Sequence, residues 1–219
     1  MEVCYIDQPF KVESLPLKKI YVLDDWLSDE IHKKIWDITT FQTNWKKTNQ
    51  VRGNNPTGLP HHELWGAAIY LDRDREWDEG QPQQCLMWTK YLNDRLQTEF
   101  GFNWIDLQYI GLNSQTQEMH GTIHADCHDD NTQNLSFLYY PNVHWEKHWG
   151  GQLRFFEEVI AGLDNRKDGK QIAEVDFKPN RLVIFDGRVP HGADAPNKNA
   201  RYSDRRSYVM RGDTVELCL

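Results

Sequence analysis

The sequence predicts a mainly β protein, a sandwich or barrel of short strands, with helical support placed ahead of it. Three observations carry this. From Ile105 onward, β-rich runs of three to six residues alternate with turn signals. Amphipathic helical stripes occur only before that point. No linker, repeat or low-complexity segment interrupts the 219 residues, a length that fits one domain with a real core. The expected organisation is one domain over 1–219, with lead-in and helical support over about 1–104 and a β core over about 105–211.

Residues 1–19 read as an extended lead-in, and Lys19–Leu23 as a short strand. Ser28 is a good N-cap, with Asp29 and Glu30 in the first turn where the helix dipole favours acids. Ile31, Ile35 and Ile38 follow at helical spacing, predicting a helix over 28–39. Residues 43–63 are rich in turn formers, around Gly53-Asn54-Asn55-Pro56, and predict a long loop. Leu64–Leu71 is an apolar strand. Cys85, Trp88, Leu92, Leu96 and Phe100 form a second helical stripe, ended by Gly101. In the β half, strands are expected at 107–112, 123–127, 135–140, 153–156, 175–177, 181–185 and 207–210. Polar turns separate them at 114–118 and 179–180, and a longer polar excursion covers 157–174.

Composition excludes several function classes. There are 25 basic against 33 acidic residues, a net charge of −8. A diffuse acidic surface argues against non-specific binding to nucleic acid or anionic membrane. The hydrophobic share is low, at 39%, but nine each of Trp, Tyr and Phe supply bulky core material. Four cysteines show no C-x-x-C pair, which points to free thiols in a reducing compartment. Neither a signal-like N-terminus nor a membrane-length run is present, so the expectation is a soluble cytoplasmic protein, monomer or homodimer.

The chemistry concentrates in Gly121-Thr122-Ile123-His124-Ala125-Asp126. A β-branched run leads into His-x-Asp, and on a strand residues two apart share a face. His124 and Asp126 then present an imidazole nitrogen and a carboxylate oxygen side by side. His191, 65 residues beyond the aspartate, is the candidate for a third ligand. Two histidines and one carboxylate make a face that suits non-haem Fe(II) and leaves positions open. The other histidines have simpler readings. His61 and His62 are adjacent in a polar loop and point apart. His120, His128, His144 and His148 fall in turns or loops and are read as solvated or peripheral.

Beyond the triad, the signals come in a set order: His-x-Asp, the Leu138-Tyr139-Tyr140 strand end, Trp149-Gly150-Gly151-x-Leu153-x-Phe155, Pro179-Asn180-Arg181-Leu182-Val183-Ile184-Phe185, the distal His, and Arg-x-Ser opening a final strand. This order resembles the Fe(II)/2-oxoglutarate-dependent oxygenases, in their prolyl 4-hydroxylase-like branch, over roughly residues 105–211. The resemblance implies a double-stranded β-helix, or jelly roll, buttressed by N-terminal α-helices. It implies Fe(II) on His124, Asp126 and His191, with 2-oxoglutarate and O₂ as cosubstrates, ascorbate as a helper, and succinate and CO₂ as products of C–H hydroxylation. It also implies a cation for the distal carboxylate of 2-oxoglutarate. Arg201, Arg205 and Arg206 are the candidates. Arg205 with Ser207 is preferred, because such a cation should open a buried strand, and Arg is suited to a planar, bidentate partner. Tyr140 is the tyrosine expected on the same carboxylate, while Tyr109 and Asn113 are weaker pocket candidates. The expected substrate is a prolyl residue of a protein or peptide. A free amino acid or small metabolite is the alternative, and a non-catalytic cupin-like module is the alternative of another class. The 43–63 loop with Trp65, and the 141–149 segment with Trp145 and Trp149, are expected to wall the site.

Overall fold

The computed structural model describes residues 1–12, 17–48, 64–71, 76–77, 80–127, 130, 133–159 and 168–216. His61, His62 and His128 lie outside the described residues, as does most of the 43–63 loop. Strands β1 (Glu2–Ile6) and β2 (Lys19–Leu23) precede helix α1 (Asp29–Phe41), and β3 (Lys46–Thr48), β4 (Leu64–Leu71) and β5 (Glu76–Trp77) lead to helix α2 (Gln83–Phe100). The β half holds β6 (Phe102–Gln115), β7 (Asn134–Tyr139), β8 (Leu153–Phe156), β9 (Gln171–Val175), β10 (Leu182–Asp186), β11 (His191–Ala193) and β12 (Arg205–Glu216). The mainly β prediction therefore holds.

The strands form two sheets. A nine-stranded sheet runs β1-β2-β10-β7-β12-β6-β4-β3, with β5 added on β4, and a three-stranded sheet runs β11-β8-β9. β7 and β10 are buried at every position, because the large sheet is covered on both faces. Alternation sorts their side chains. Leu135, Phe137, Tyr139, Leu182 and Ile184 face a cluster shared with Ile35 and Ile38 of α1 and Leu92, Leu96 and Phe100 of α2. Leu138, Val183 and Phe185 face the other way, onto Leu153 and Phe155 of the small sheet.

The helices form as their spacing predicts. α1 buries His32, Ile35, Ile38 and Thr39 on one face, although Ser28 at its N-cap makes no side-chain capping bond. α2 ends at Gly101 in the left-handed conformation, φ +65°, where its N–H caps the Gln97 carbonyl.

Several expectations are corrected, among them the strand at 175–177, since β9 runs earlier, over Gln171–Val175. Residues 123–127 do not form a strand: His124 makes a single bridge, to His191. β6 and β12 run well past the expected ends, and pair with each other from Arg205–Gln115 to Glu216–Phe102. The turn expected at 114–118 therefore begins only after Gln115. β1 was also unforeseen: it pairs parallel with β2, and Val12 further ties the lead-in to α2 by donating to Phe100 O at 2.9 Å.

No helix among the described residues is long and apolar enough to cross a membrane. Phe137 is fully packed, stacked on Phe102 at 5.1 Å and 13° and flanked edge-on by Trp104. Phe137→Ala is expected to cost about 3–5 kcal/mol, read as a lower urea midpoint at unchanged m-value.

Candidate metal centre and its cavity

The segment carrying His124 runs antiparallel to β11 but out of step with it. Gly121 N–H donates to Ala193 O, His124 and His191 exchange both backbone bonds, and Asp126 N–H donates to Gly187 O. Three residues on one side span two on the other between the first two contacts, so no ladder propagates. The exchange nevertheless fixes His124 against His191, with ring centroids 4.5 Å apart.

Asp126 completes the group. One ligand atom each from His124, Asp126 and His191 can be chosen so that all lie within 4.8 Å of one another. His124 Nε2 is 3.7 Å from Asp126 Oδ1, and His191 Nε2 is 3.6 Å from Oδ2. Each imidazole places Nδ1 against a backbone carbonyl, Thr122 O at 3.0 Å for His124 and Val189 O at 2.9 Å for His191. With Nδ1–H donating there, Nε2 keeps its lone pair for the centre, an arrangement metal-binding histidines share.

Electrostatics prepares the same state. Burial pushes the His191 imidazole down to about 4, against the pull of Asp126, so it is neutral at pH 7. Burial opposes ionisation of Asp126, but attraction to His191 where that imidazole is protonated, to Arg211 and to His124, with the Ser136 hydroxyl, outweighs it and holds the carboxyl well below the usual range. Ser136 Oγ donates to Oδ2 at 2.6 Å, and Arg211 Nη1 donates to Oδ1. Two imidazole nitrogens and one carboxylate converge, a donor set that fits a divalent first-row ion with open positions.

These groups line a cavity of about 380 Å³, within the range of small-ligand sites. Arg205, Ser207, Val209 and Arg211 all face it, as alternation along β12 requires. Arg205 is 1% exposed. Its Nε donates to Gly151 O at 2.8 Å and Nη1 to Gln115 Oε1 at 3.0 Å. The guanidinium sits between the Tyr140 and Phe177 rings, at 4.9 and 5.0 Å. Gly151, at φ +85°, permits the close carbonyl, since a Cβ there would lie 3.3 Å from Arg205 Cδ. Arg205 Nη2 and Tyr140 Oη are both buried without a hydrogen-bond partner among the described residues. The Tyr140 hydroxyl feels the Arg205 charge but does not meet bonding geometry with it. A buried cation with an unpartnered Nη2, no carboxylate in ion-pair contact among the described residues and an open cavity in front fits an anionic ligand.

The structure separates the three candidate arginines. Arg206 faces the other side of β12, paired with Asp204 and lying over Trp36. Arg201 is exposed, in a turn beside Tyr202. Only Arg205 shares the cavity with the triad. Tyr109 and Asn113 also line it. Trp65 does not: Leu64 faces the cavity, and Trp65 lines a separate groove with Trp45, Tyr202 and Arg206. Trp145 packs on Phe177 behind Arg205 rather than at a substrate wall. Arg211, Ser136 and Gln115 were not singled out from the sequence. Carrying the alternation of Ser207 and Val209 one step further would have reached Arg211.

Residues 110–209 match the family described as the 2OG-Fe(II) oxygenase superfamily. The protein is a 2-oxoglutarate-dependent dioxygenase using Fe(II), 2-oxoglutarate and O₂. No curated protein matches the chain by sequence. Among solved structures, a Pseudomonas putida prolyl-4-hydroxylase is similar at TM-score 0.53 and 20% identity, covering 88% of this chain and 92% of that one. A Trichoplax adhaerens prolyl hydroxylase, in complex with a peptide fragment of the hypoxia inducible factor oxygen degradation domain, is similar at TM-score 0.53 and 15% identity, covering 89% and 83%. A 2OG-Fe(II) oxygenase family oxidoreductase from Burkholderia pseudomallei is similar at TM-score 0.51 and 10% identity, covering 88% and 84%. At these identities the likeness is one of fold.

His191 gives a pH test of the metal-free protein. Its folded value, about 4, lies below the ordinary 6.5. The unfolded chain therefore binds the extra proton between these values, and stability falls as pH drops through that window. Between pH 7 and pH 5 the loss is expected to be about 2 kcal/mol. His191→Gln should remove that part of the pH dependence of the urea midpoint.

Proposed function

We propose that this dioxygenase hydroxylates a C–H bond of a prolyl residue in a protein or peptide. In this reading His124, Asp126 and His191 hold Fe(II), and Arg205, with Ser207 and Tyr140, takes the distal carboxylate of 2-oxoglutarate. The observation that carries it is the buried Arg205 guanidinium, which has no carboxylate in ion-pair contact among the described residues and faces the cavity that also holds the triad. When bound, Fe(II) couples O₂ activation to decarboxylation of 2-oxoglutarate into succinate and CO₂, with ascorbate keeping the metal reduced.

The chain's own groups have defined parts. The backbone exchange between His124 and His191 orients both imidazoles. Ser136 and Arg211 hold the carboxylate ionised and in one orientation. Leu138, Leu153 and Val209 give the cavity an apolar lining, which strengthens the Arg205 charge and limits water. A carboxylate at Asp126, rather than a small side chain, keeps that metal position from a halide, in favour of hydroxylation. We further infer that the two sheets form a double-stranded β-helix within one catalytic domain over 1–219, its core at about 105–211. The centre between the sheets and the fold shared with prolyl hydroxylases support this. The prolyl, peptide-borne substrate draws its support from the same neighbours, one of which holds a peptide. The net charge of −8 speaks against a nucleic acid.

The test is succinate formation from 2-oxoglutarate with Fe(II) and ascorbate under air, with and without a panel of proline-containing peptides. The expected outcome is peptide-stimulated turnover and a product heavier by one oxygen. Slow turnover that a free amino acid, but no peptide, stimulates would replace the peptide substrate with a small metabolite. No turnover in a folded sample shown to hold Fe(II) would leave a cupin-like binding module.

Two sets of variants sort the roles. His124→Ala and Asp126→Ala should abolish turnover with the fold intact. Arg205→Met should raise the KM for 2-oxoglutarate by about 100-fold, corresponding to the loss of roughly 2–3 kcal/mol from a charge-assisted pair. The urea midpoint of Arg205→Met should not fall, since a buried cation without a carboxylate is replaced by an apolar chain.

A further inference from the structure

We propose that Arg211 is a positioning residue that confines Asp126 to one metal-coordinating oxygen, and that a bulge at Gly212 and the ring of Tyr109 hold it in that role. The proposal rests on the triad being the metal site.

The two oxygens of Asp126 are treated differently. Oδ1 accepts from the Arg211 guanidinium and lies 3.7 Å from His124 Nε2, while Oδ2 accepts the Ser136 hydroxyl, at 2.6 Å, and lies 3.6 Å from His191 Nε2, so the imidazoles flank both oxygens and the donors alone distinguish them. A hydroxyl donor uses one lone-pair direction of Oδ2 and leaves another. A guanidinium engages its acceptor more strongly and places a positive charge where a second metal–oxygen bond would have to form. The number of ligating oxygens decides how many positions stay open. Of about six around a first-row ion, two imidazoles and a one-oxygen carboxylate leave three. A carboxylate bound through both oxygens leaves two. 2-Oxoglutarate takes two when it chelates, so only the one-oxygen mode keeps a position for O₂.

Arg211 is aimed by its backbone. The β12–β6 register shifts between Arg211 and Gly212: Arg211 pairs with Tyr109 and Gly212 with Leu107, so Gln108 is the extra residue. Bulges of this kind redirect side chains next to functional sites. Gly212 is a steric requirement of this one, since a Cβ there would collide with Asp106 O and lie 2.9 Å from Leu107 Cα. Tyr109, opposite Arg211, lays its ring along the strand over Gly111, where a Cβ would occupy the position of the phenol end. That brings the ring centroid within 5.3 Å of Arg211 Cζ, a stacking distance for a cation on a π-face. Arg211 Nε is buried with no partner among the described residues, so nothing described there holds that edge of the guanidinium away from Asp126.

The test counts water on the metal. The metal-free protein is loaded with Mn(II), and coordinated waters are counted from water-proton relaxation, without turnover. Wild type is expected to hold about three waters per ion and Arg211→Met about two, as Asp126 closes onto the metal with both oxygens. Arg211→Lys, which restores a cation within reach of Oδ1, should return the count to the wild-type value. A merely structural role would lower stability and leave the count unchanged. Should Arg211→Met not fold, Arg211→Gln, whose side chain is too short for Oδ1, carries the same expectation. An unchanged count in a folded, Mn(II)-loaded variant overturns the role of Arg211 alone. Failure of the wild-type chain to bind Mn(II), or binding that His124→Ala does not weaken, overturns the metal site itself.

Discussion

A buried carboxylate and a buried guanidinium share one cavity without pairing with each other. Asp126 is 2% exposed at its side chain and Arg205 is 1% exposed. Charges are rarely buried unless something meets them. Asp126 is met by Arg211, Ser136 and two imidazoles. Arg205 is met by two aromatic faces, a carbonyl and an amide, with its Nη2 amino group left without a partner among the described residues. On the proposed reading, the triad end is thus satisfied by its own neighbours while the Arg205 end keeps an unpartnered donor. That asymmetry suits a protein that keeps its ion and exchanges its acid cosubstrate.

Such a cavity needs walls that do not yield, and the sheet arrangement supplies them. β7 lies between β10 and β12 and carries a two-faced load. Phe137 and Tyr139 anchor it to the helices, while Ser136 and Leu138 face the site. Alternation makes the division unambiguous, and a one-residue slip would exchange the two sets. β12 repeats the pattern: Tyr208 and Met210 go to the helix side, and Arg205, Ser207, Val209 and Arg211 to the cavity. The helices contribute no group to the cavity. They fix the register of strands that do.

Sequence patterns made a large part of this legible, for reasons that can be named. β4 was readable to its ends because Leu64–Leu71 is apolar between polar neighbours. α2 was readable because its stripe ends at a glycine that can adopt φ +65°. Arg205 was separable from Arg201 and Arg206 because only it opens a run that is buried on one alternating face. Residues 123–127 misled because β-branched residues favour extended backbone without guaranteeing a partner in register. The pairing edge of β11 is three residues long and out of step with that segment. Trp65 misled in a similar way. An aromatic beside a long loop suggests a wall, but alternation on β4 gives that place to Leu64.

What escaped was long-range. Arg211 meets Asp126 across 85 positions of chain, through an irregularity in β12 pairing that no local pattern announces. A strand judged by its apolar core ends at Met210, where alternation into a polar, half-exposed residue reads as solvent. The structure shows the reverse: polarity returns at Arg211 because the strand is still passing the site. A polar residue that keeps the inward phase beyond the end of an apolar run is therefore evidence of a buried partner of opposite charge. Here that partner is the carboxylate around which the two imidazoles are arranged.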